Sequence, residues 1–152
     1  MLERSSQVVV RPRVLVVDDE ELVRLVIART LRLSGFDVFE ARDGLEALAR
    51  IPVAAPDLVL TDLNMPRCNG EVLCAEIKRR HTAAALPVVM MTGGPLDEAR
   101  MREIGCAAVI YKPLPERLPE FLLSILQDTP GAGRAGARIV PPPGPARQPP
   151  AA

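Results

Sequence analysis

Aromatic residues are almost absent: three Phe, one Tyr and no Trp in 152 residues. Hydrophobic residues still make up 48% of the chain, so a core has to be built from Val, Leu, Ile, Ala and Met. Net charge is also lacking, with 19 basic against 19 acidic residues, which argues against the basic face of a nucleic-acid-binding protein. The balance is uneven. Three arginines and no acids follow Thr129, leaving residues 1–128 with 16 basic against 19 acidic, a net of −3. Cysteine is scarce. Cys68, Cys74 and Cys106 are odd in number and lack paired spacing, so neither a disulfide framework nor a zinc signature is present. They read as reduced thiols in a cytoplasmic protein. No stretch approaches the roughly 18 consecutive apolar residues that span a bilayer. Residues 1–6 lack the apolar core of a signal peptide. The expectation is a soluble, cytoplasmic protein with no membrane partner.

What is present is a set of short apolar runs. Val14 to Val17, Val38 to Ala41, Leu58 to Thr61, Val88 to Met91 and Ala107 to Tyr111 read as strands. Between them lie helix candidates: Glu20 to Leu33, with Val23, Ile27 and Leu31 as its apolar stripe; Asp43 through Leu48, ending before Pro52; Gly70 to Arg80; Pro95 to Ile104; and Glu116 to Gln127, with Pro119 in its first turn. Gly35 and Gly105 are stop signals. His81 is read as a solvated residue at the end of its helix. Strand and helix alternate five times, which predicts an α/β doubly wound parallel sheet with helices on both faces. Ligands of such sheets bind outside the carboxyl ends of the strands. The expected division is a flexible segment 1–11, one domain over 12–127, and a tail over 128–152. From residue 129 the tail has seven Pro, four Gly and only two large aliphatics, Ile139 and Val140. Such a composition cannot offset chain entropy by burial, so the tail is expected to be disordered.

Each strand bearing an unusual terminal residue delivers it to the same sheet edge. Asp18 and Asp19 follow the first strand, Asp62 the third, Thr92 the fourth and Lys112 the fifth. Like charges gathered there repel, and a bound cation is the simplest offset. Oxygen ligands suit Mg²⁺ (or Mn²⁺) with phosphate as a co-ligand. A carboxylate can itself be a nucleophile toward phosphorus, and a lysine supplies a point charge for phosphate. The chain has 17 arginines but only two lysines, Lys78 and Lys112. A lysine in that position suggests a place for a slim ammonium where a planar guanidinium would not fit. The set reads as a site for phosphoryl transfer onto aspartate.

Val16-Val17-Asp18-Asp19-Glu20, Asp62-Leu63-Asn64-Met65-Pro66 with Gly70, Met91-Thr92-Gly93 and Tyr111-Lys112-Pro113-Leu114 together resemble the receiver domain of bacterial two-component response regulators. Arg42-Asp43-Gly44-Leu45-Glu46-Ala47-Leu48 is similar to the family's second-helix motif. The resemblance spans about residues 12–127, and its single-domain, chemotaxis-regulator-like form is the nearest match. It implies a flavodoxin-like sheet of order 2-1-3-4-5 with five helices. It implies that Asp62 accepts a phosphoryl group, and that Asp18, Asp19, Asp62 and the backbone carbonyl of Asn64 hold Mg²⁺. Thr92 and Lys112 then stabilise the phosphoryl group, while Pro66, Gly70 and Pro113 shape the loops. Leu22, Val26, Arg29 and Thr30 on the first helix become candidates for docking a sensor histidine kinase or histidine phosphotransfer protein. The implied output is a contact with a downstream protein, as a monomer or a phosphorylation-linked dimer, with no nucleic acid bound. No output domain is expected after Gln127.

The pattern also departs from the family. The switch position three residues before the lysine is Val109 rather than an aromatic. Tyr111 is adjacent to Lys112 and is expected on the other face of the strand. The segment from Thr92 to Lys112 is short, which suggests an atypical output face. Gly94 leaves one side of the phosphoryl position open, which predicts a short-lived phosphoryl group. Two other classes bear comparison. A haloacid dehalogenase-type phosphatase needs a second acid two residues after its nucleophile, and that position is Asn64; it also places the nucleophile on the first strand. A phosphorylation-independent interaction module would not need the full set of acids, Thr92 and Lys112.

Overall fold

The computed structural model describes residues 9–81, 86–128 and 138–139. Five strands form one parallel sheet: β1 (Arg13–Val17), β2 (Asp37–Ala41), β3 (Leu58–Asp62), β4 (Val88–Thr92) and β5 (Ala108–Tyr111). Their order is 2-1-3-4-5, as the resemblance implied. The connections carry α1 (Glu21–Leu33), α2 (Gly44–Ala54), α3 (Gly70–Arg80), α4 (Glu98–Ile104) and, after β5, α5 (Leu118–Asp128).

The sheet separates two apolar cores. Val14, Val16, Leu58 and Leu60 pack with Ile27 and Leu31 of α1 and Leu122 and Leu126 of α5. Leu15, Val17 and Val59 pack on the opposite side with Ala47 of α2, Leu73 of α3 and Met101 of α4. A strand covered on both faces has no polar alternation, which is why β3 and β4 are buried at every position. Gly35 and Gly105 end α1 and α4 with φ of 94° and 78°, backbone that a Cβ would strain.

The helix boundaries that differ most from the sequence reading are the end of the second helix and the start of the fourth. The fifth begins two residues late, at Leu118 rather than Glu116. The second helix does not end before Pro52 but continues through it to Ala54. Ile51 and Ala54 are buried, and their packing outweighs the hydrogen bond that proline cannot donate. The fourth helix begins at Glu98 rather than Pro95. The Asp97 carboxylate accepts the Ala99 and Arg100 N–H groups at 3.0 and 3.2 Å, which sets the start of the helix there.

Outside the sheet, Val9–Val10 pairs in parallel with Arg138–Ile139, so the two segments expected to be loose meet at this point. Residues 1–8, 129–137 and 140–152, the remainder of those segments, lie outside the described residues. Among the described residues, no helix is long and apolar enough to cross a membrane.

Candidate phosphoacceptor site

Strand register assembles the site. β1 and β3 pair with Val17 opposite Thr61, so the next residues, Asp18 and Asp62, come side by side. β4 and β5 pair with Thr92 opposite Tyr111, which places Lys112 one residue past the ladder. Two-residue alternation then aims Asp18, Asp62 and Lys112 from the face that carries Val16, Leu60 and Ile110. Lys112 Nζ lies 3.6 Å from Asp18 Oδ2 and 3.5 Å from Asp62 Oδ1. One ligand oxygen from each of Asp18, Asp19 and Asp62 falls within 4.8 Å of the others. Asp18 and Asp62 are buried, while Asp19 is exposed.

The backbone holds the acids in place. Asp18 Oδ1 accepts the Glu20 N–H at 2.9 Å, and Arg24 Nη1 donates to the Asp18 carbonyl at 2.8 Å. Arg24 also reaches Glu40 on β2 at 3.3 Å. Asp62 Oδ1 accepts the Leu63 N–H at 3.0 Å. Burial pushes the Asp62 carboxyl above the usual carboxylate range; Lys112 draws it down, and the neighbouring Asp18 charge raises it further.

The donor set fits a hard divalent cation. Asp18 Oδ2 is buried without a hydrogen-bond partner, and the Lys112 ammonium, 3.6 Å away, faces it from one side only, which leaves room for a second cation to offset the cost of burying it. Oxygens sharing one Mg²⁺ at about 2.1 Å lie no more than about 4.2 Å apart, so the 4.8 Å cluster needs only small side-chain rotations to close. Asn64 is exposed on the loop after Asp62, beside this cluster in sequence.

That loop is tied at both ends. The Gly70 N–H donates to the Leu63 carbonyl at 2.9 Å, and a Cβ on Gly70 would stand 2.4 Å from the Asp62 carbonyl oxygen. Gly70 therefore cannot carry a side chain without moving the end of β3. Within the loop Pro66 is exposed, while Met65 and Cys68 are buried. Arg67 adopts φ of 66° and its guanidinium grips Asp43, the N-cap of α2. Neither the Arg67–Asp43 pair nor the hold of Arg24 on Asp18 was read from the sequence. No local spacing signals a contact between residues 24 positions apart.

The other expected positions are distributed as follows. The Thr92 hydroxyl is buried and engaged in its own loop, accepting the Gly94 N–H at 3.2 Å and donating to the Gly94 carbonyl at 3.4 Å. The Lys112–Pro113 peptide bond is cis. Leu22, Val26, Arg29 and Thr30 are all exposed on α1. Leu22, Val23 and Val26 face Pro113 and Leu114 across an apolar groove of about 380 Å³ that reaches Lys112. Tyr111 lies on the face of β5 opposite Lys112, the face it shares with Val109. Val109 and Tyr111 line one recess with Met101 and Arg102, because residues two apart in a strand share a face. His81 caps α3 and is half-buried.

A parallel 2-1-3-4-5 sheet whose carboxyl edge gathers three acids and a lysine defines the class, and the sequence comparison agrees. The family model of the response regulator receiver domain matches residues 14–122, and the chain belongs to that family. Among curated proteins it is similar to the response regulator MprA of Mycobacterium sp. (strain KMS), 37% identical over 110 residues, covering 72% of this chain and 47% of that protein. It is similar to Protein PilG of Pseudomonas aeruginosa, 35% identical over 103 residues, covering 66% of this chain and 76% of that one. The chain thus spans about half the length of the MprA relatives that it matches. Among solved structures, the chemotaxis response regulator CheY4 of Vibrio cholerae superposes with a TM-score of 0.71 at 28% identity, covering 77% of this chain and all of that one. The matched region is thus a receiver domain, a phosphoacceptor signalling module, and receiver domains are phosphorylated by histidine kinases.

Proposed function

We propose that Asp62 accepts a phosphoryl group from the phosphohistidine of a sensor kinase or histidine phosphotransfer protein. A carboxylate oxygen of Asp62 attacks phosphorus, the P–O bond forms, and the P–N bond to the donor imidazole breaks. The observation that carries this reading is Lys112 Nζ set 3.5 Å from Asp62 and 3.6 Å from Asp18, on one side of a cluster of three acids. Asp18, Asp19, Asp62 and the Asn64 carbonyl would hold Mg²⁺ or Mn²⁺, which offsets charge on the phosphoryl oxygens. Lys112 supplies the second offset, moving from the carboxylates to a phosphoryl oxygen. Thr92 gives up its Gly94 contact to donate to the same group, which biases the loop before α4. The α1 groove between Leu22, Val26 and Leu114 offers an apolar seat beside Lys112 for the donor's helices, with Arg29 and Thr30 further along the exposed side of α1. Pro66, Gly70 and Pro113 shape the two loops that frame the acceptor.

Labelling with acetyl phosphate and MgCl₂ tests the reading. We expect a gain of one phosphoryl group per chain, abolished in Asp62→Asn and by excess EDTA. Equal labelling of Asp62→Asn would move the acceptor elsewhere.

A further inference from the structure

We propose that Arg67 and Asp43 form a clasp that positions the β3–α3 loop for metal binding. This deepens the phosphoacceptor reading and rests on the Asn64 carbonyl being a ligand. Arg67 holds a left-handed backbone without being glycine, a conformation that persists only where its surroundings over-determine it. The surroundings are specific. Arg67 Nε donates to Asp43 Oδ2 at 2.9 Å and Nη2 bonds the same oxygen, while Asp43 Oδ1 accepts the Glu46 N–H at 2.9 Å. Asp43 is 4% exposed, so this ion pair is shielded on one side. Next to it, the Gly44 N–H donates to the Cys68 carbonyl at 3.1 Å. A Cβ on Gly44 would stand 2.4 Å from Cys68 Sγ, so the start of α2 and the loop touch without room for a side chain.

The loop between Asp62 and Gly70 therefore has two anchors. One is the Gly70–Leu63 hydrogen bond at the phosphoacceptor strand. The other is the junction with α2, made by the clasp together with the Gly44–Cys68 hydrogen bond, and α2 is packed on the sheet through Ala47 and Ile51. Asn64 stands between these anchors. Removing the clasp leaves the α2 side of the loop held by the Gly44–Cys68 hydrogen bond alone, so the backbone around Asn64 loosens, and a ligand that must be ordered on binding costs affinity. Neither Arg67 nor Asp43 touches the acids, so both are positioning residues.

Magnesium titration by isothermal calorimetry, with amide hydrogen exchange as a second readout, tests the clasp. Arg67→Gly keeps the backbone geometry and removes the grip. Asp43→Asn keeps a capping oxygen for Glu46 and removes the charge. Each is expected to weaken Mg²⁺ binding about ten-fold, with faster exchange over residues 63–69 and unchanged exchange in β1. The double variant is expected to lose no more than either single one, and Arg67→Lys to recover part of the loss. Mg²⁺ affinity within two-fold of wild type in Arg67→Gly, or additive losses in the double variant, would overturn the proposal. Failure of the underlying reading looks different: wild-type protein would then bind no Mg²⁺, or would bind it equally well as Asp19→Asn.

Discussion

Asp62 works against the fold that contains it. Its carboxyl sits above the usual range because burial and the Asp18 charge outweigh Lys112. The folded chain thus holds a proton there more tightly than the unfolded chain, and the ionised form detracts from stability. That cost is absent below the unfolded carboxylate value, grows as pH rises through the folded value, and is complete above it. Without divalent cation, Asp62→Asn should therefore raise the urea midpoint at pH 7, and the difference should vanish below about pH 4; denaturation curves at the two pH values check this. Gly94 gives a second outcome at the same scale. A Cβ built there meets nothing within 4 Å, so Gly94→Ala is accommodated and the side chain of Gly94→Tyr starts from open space. The larger side chain should lengthen the half-life of phospho-Asp62 by screening water, as followed by loss of label. Identical lifetimes would show that water reaches the phosphoryl group by another side.

Among elements, α2 shows what was legible and what was not. Its start could be read, because Asp43 is a capping residue with a local partner, the Glu46 N–H. Its end could not, because the competition is between a local penalty at Pro52 and burial of Ile51 and Ala54 against distant strands. The strands were legible for the complementary reason. Central strands buried on both faces are continuous apolar runs, and their polar ends mark the sheet edge. The acids, Thr92 and Lys112 could be assembled from that edge alone. The Arg67–Asp43 and Arg24–Asp18 contacts could not, since they depend on where helices and loops come to rest. Pro52 is exposed, so Pro52→Ala restores a missing helical hydrogen bond without disturbing packing. It should stabilise the protein by about 1–3 kcal/mol in urea unfolding.

Across the whole molecule, a site built from three separate strands and the residue beyond a fourth exists only when the sheet is closed. Mg²⁺ that binds the folded state alone should therefore stabilise all of it, by about 2.7 kcal/mol at a hundred times the dissociation constant. Thermal melts across a MgCl₂ series check this, with no shift expected in Asp18→Asn. The pairing of Val9–Val10 with Arg138–Ile139 has a separate consequence. Those residues flank the start of β1 and follow the end of α5, at the sheet edge opposite the acids. The contact that ties Val9–Val10 to Arg138–Ile139 is thus made away from Asp62 and Lys112. A change at Asp62 reaches that pairing only through the strands and helices in between.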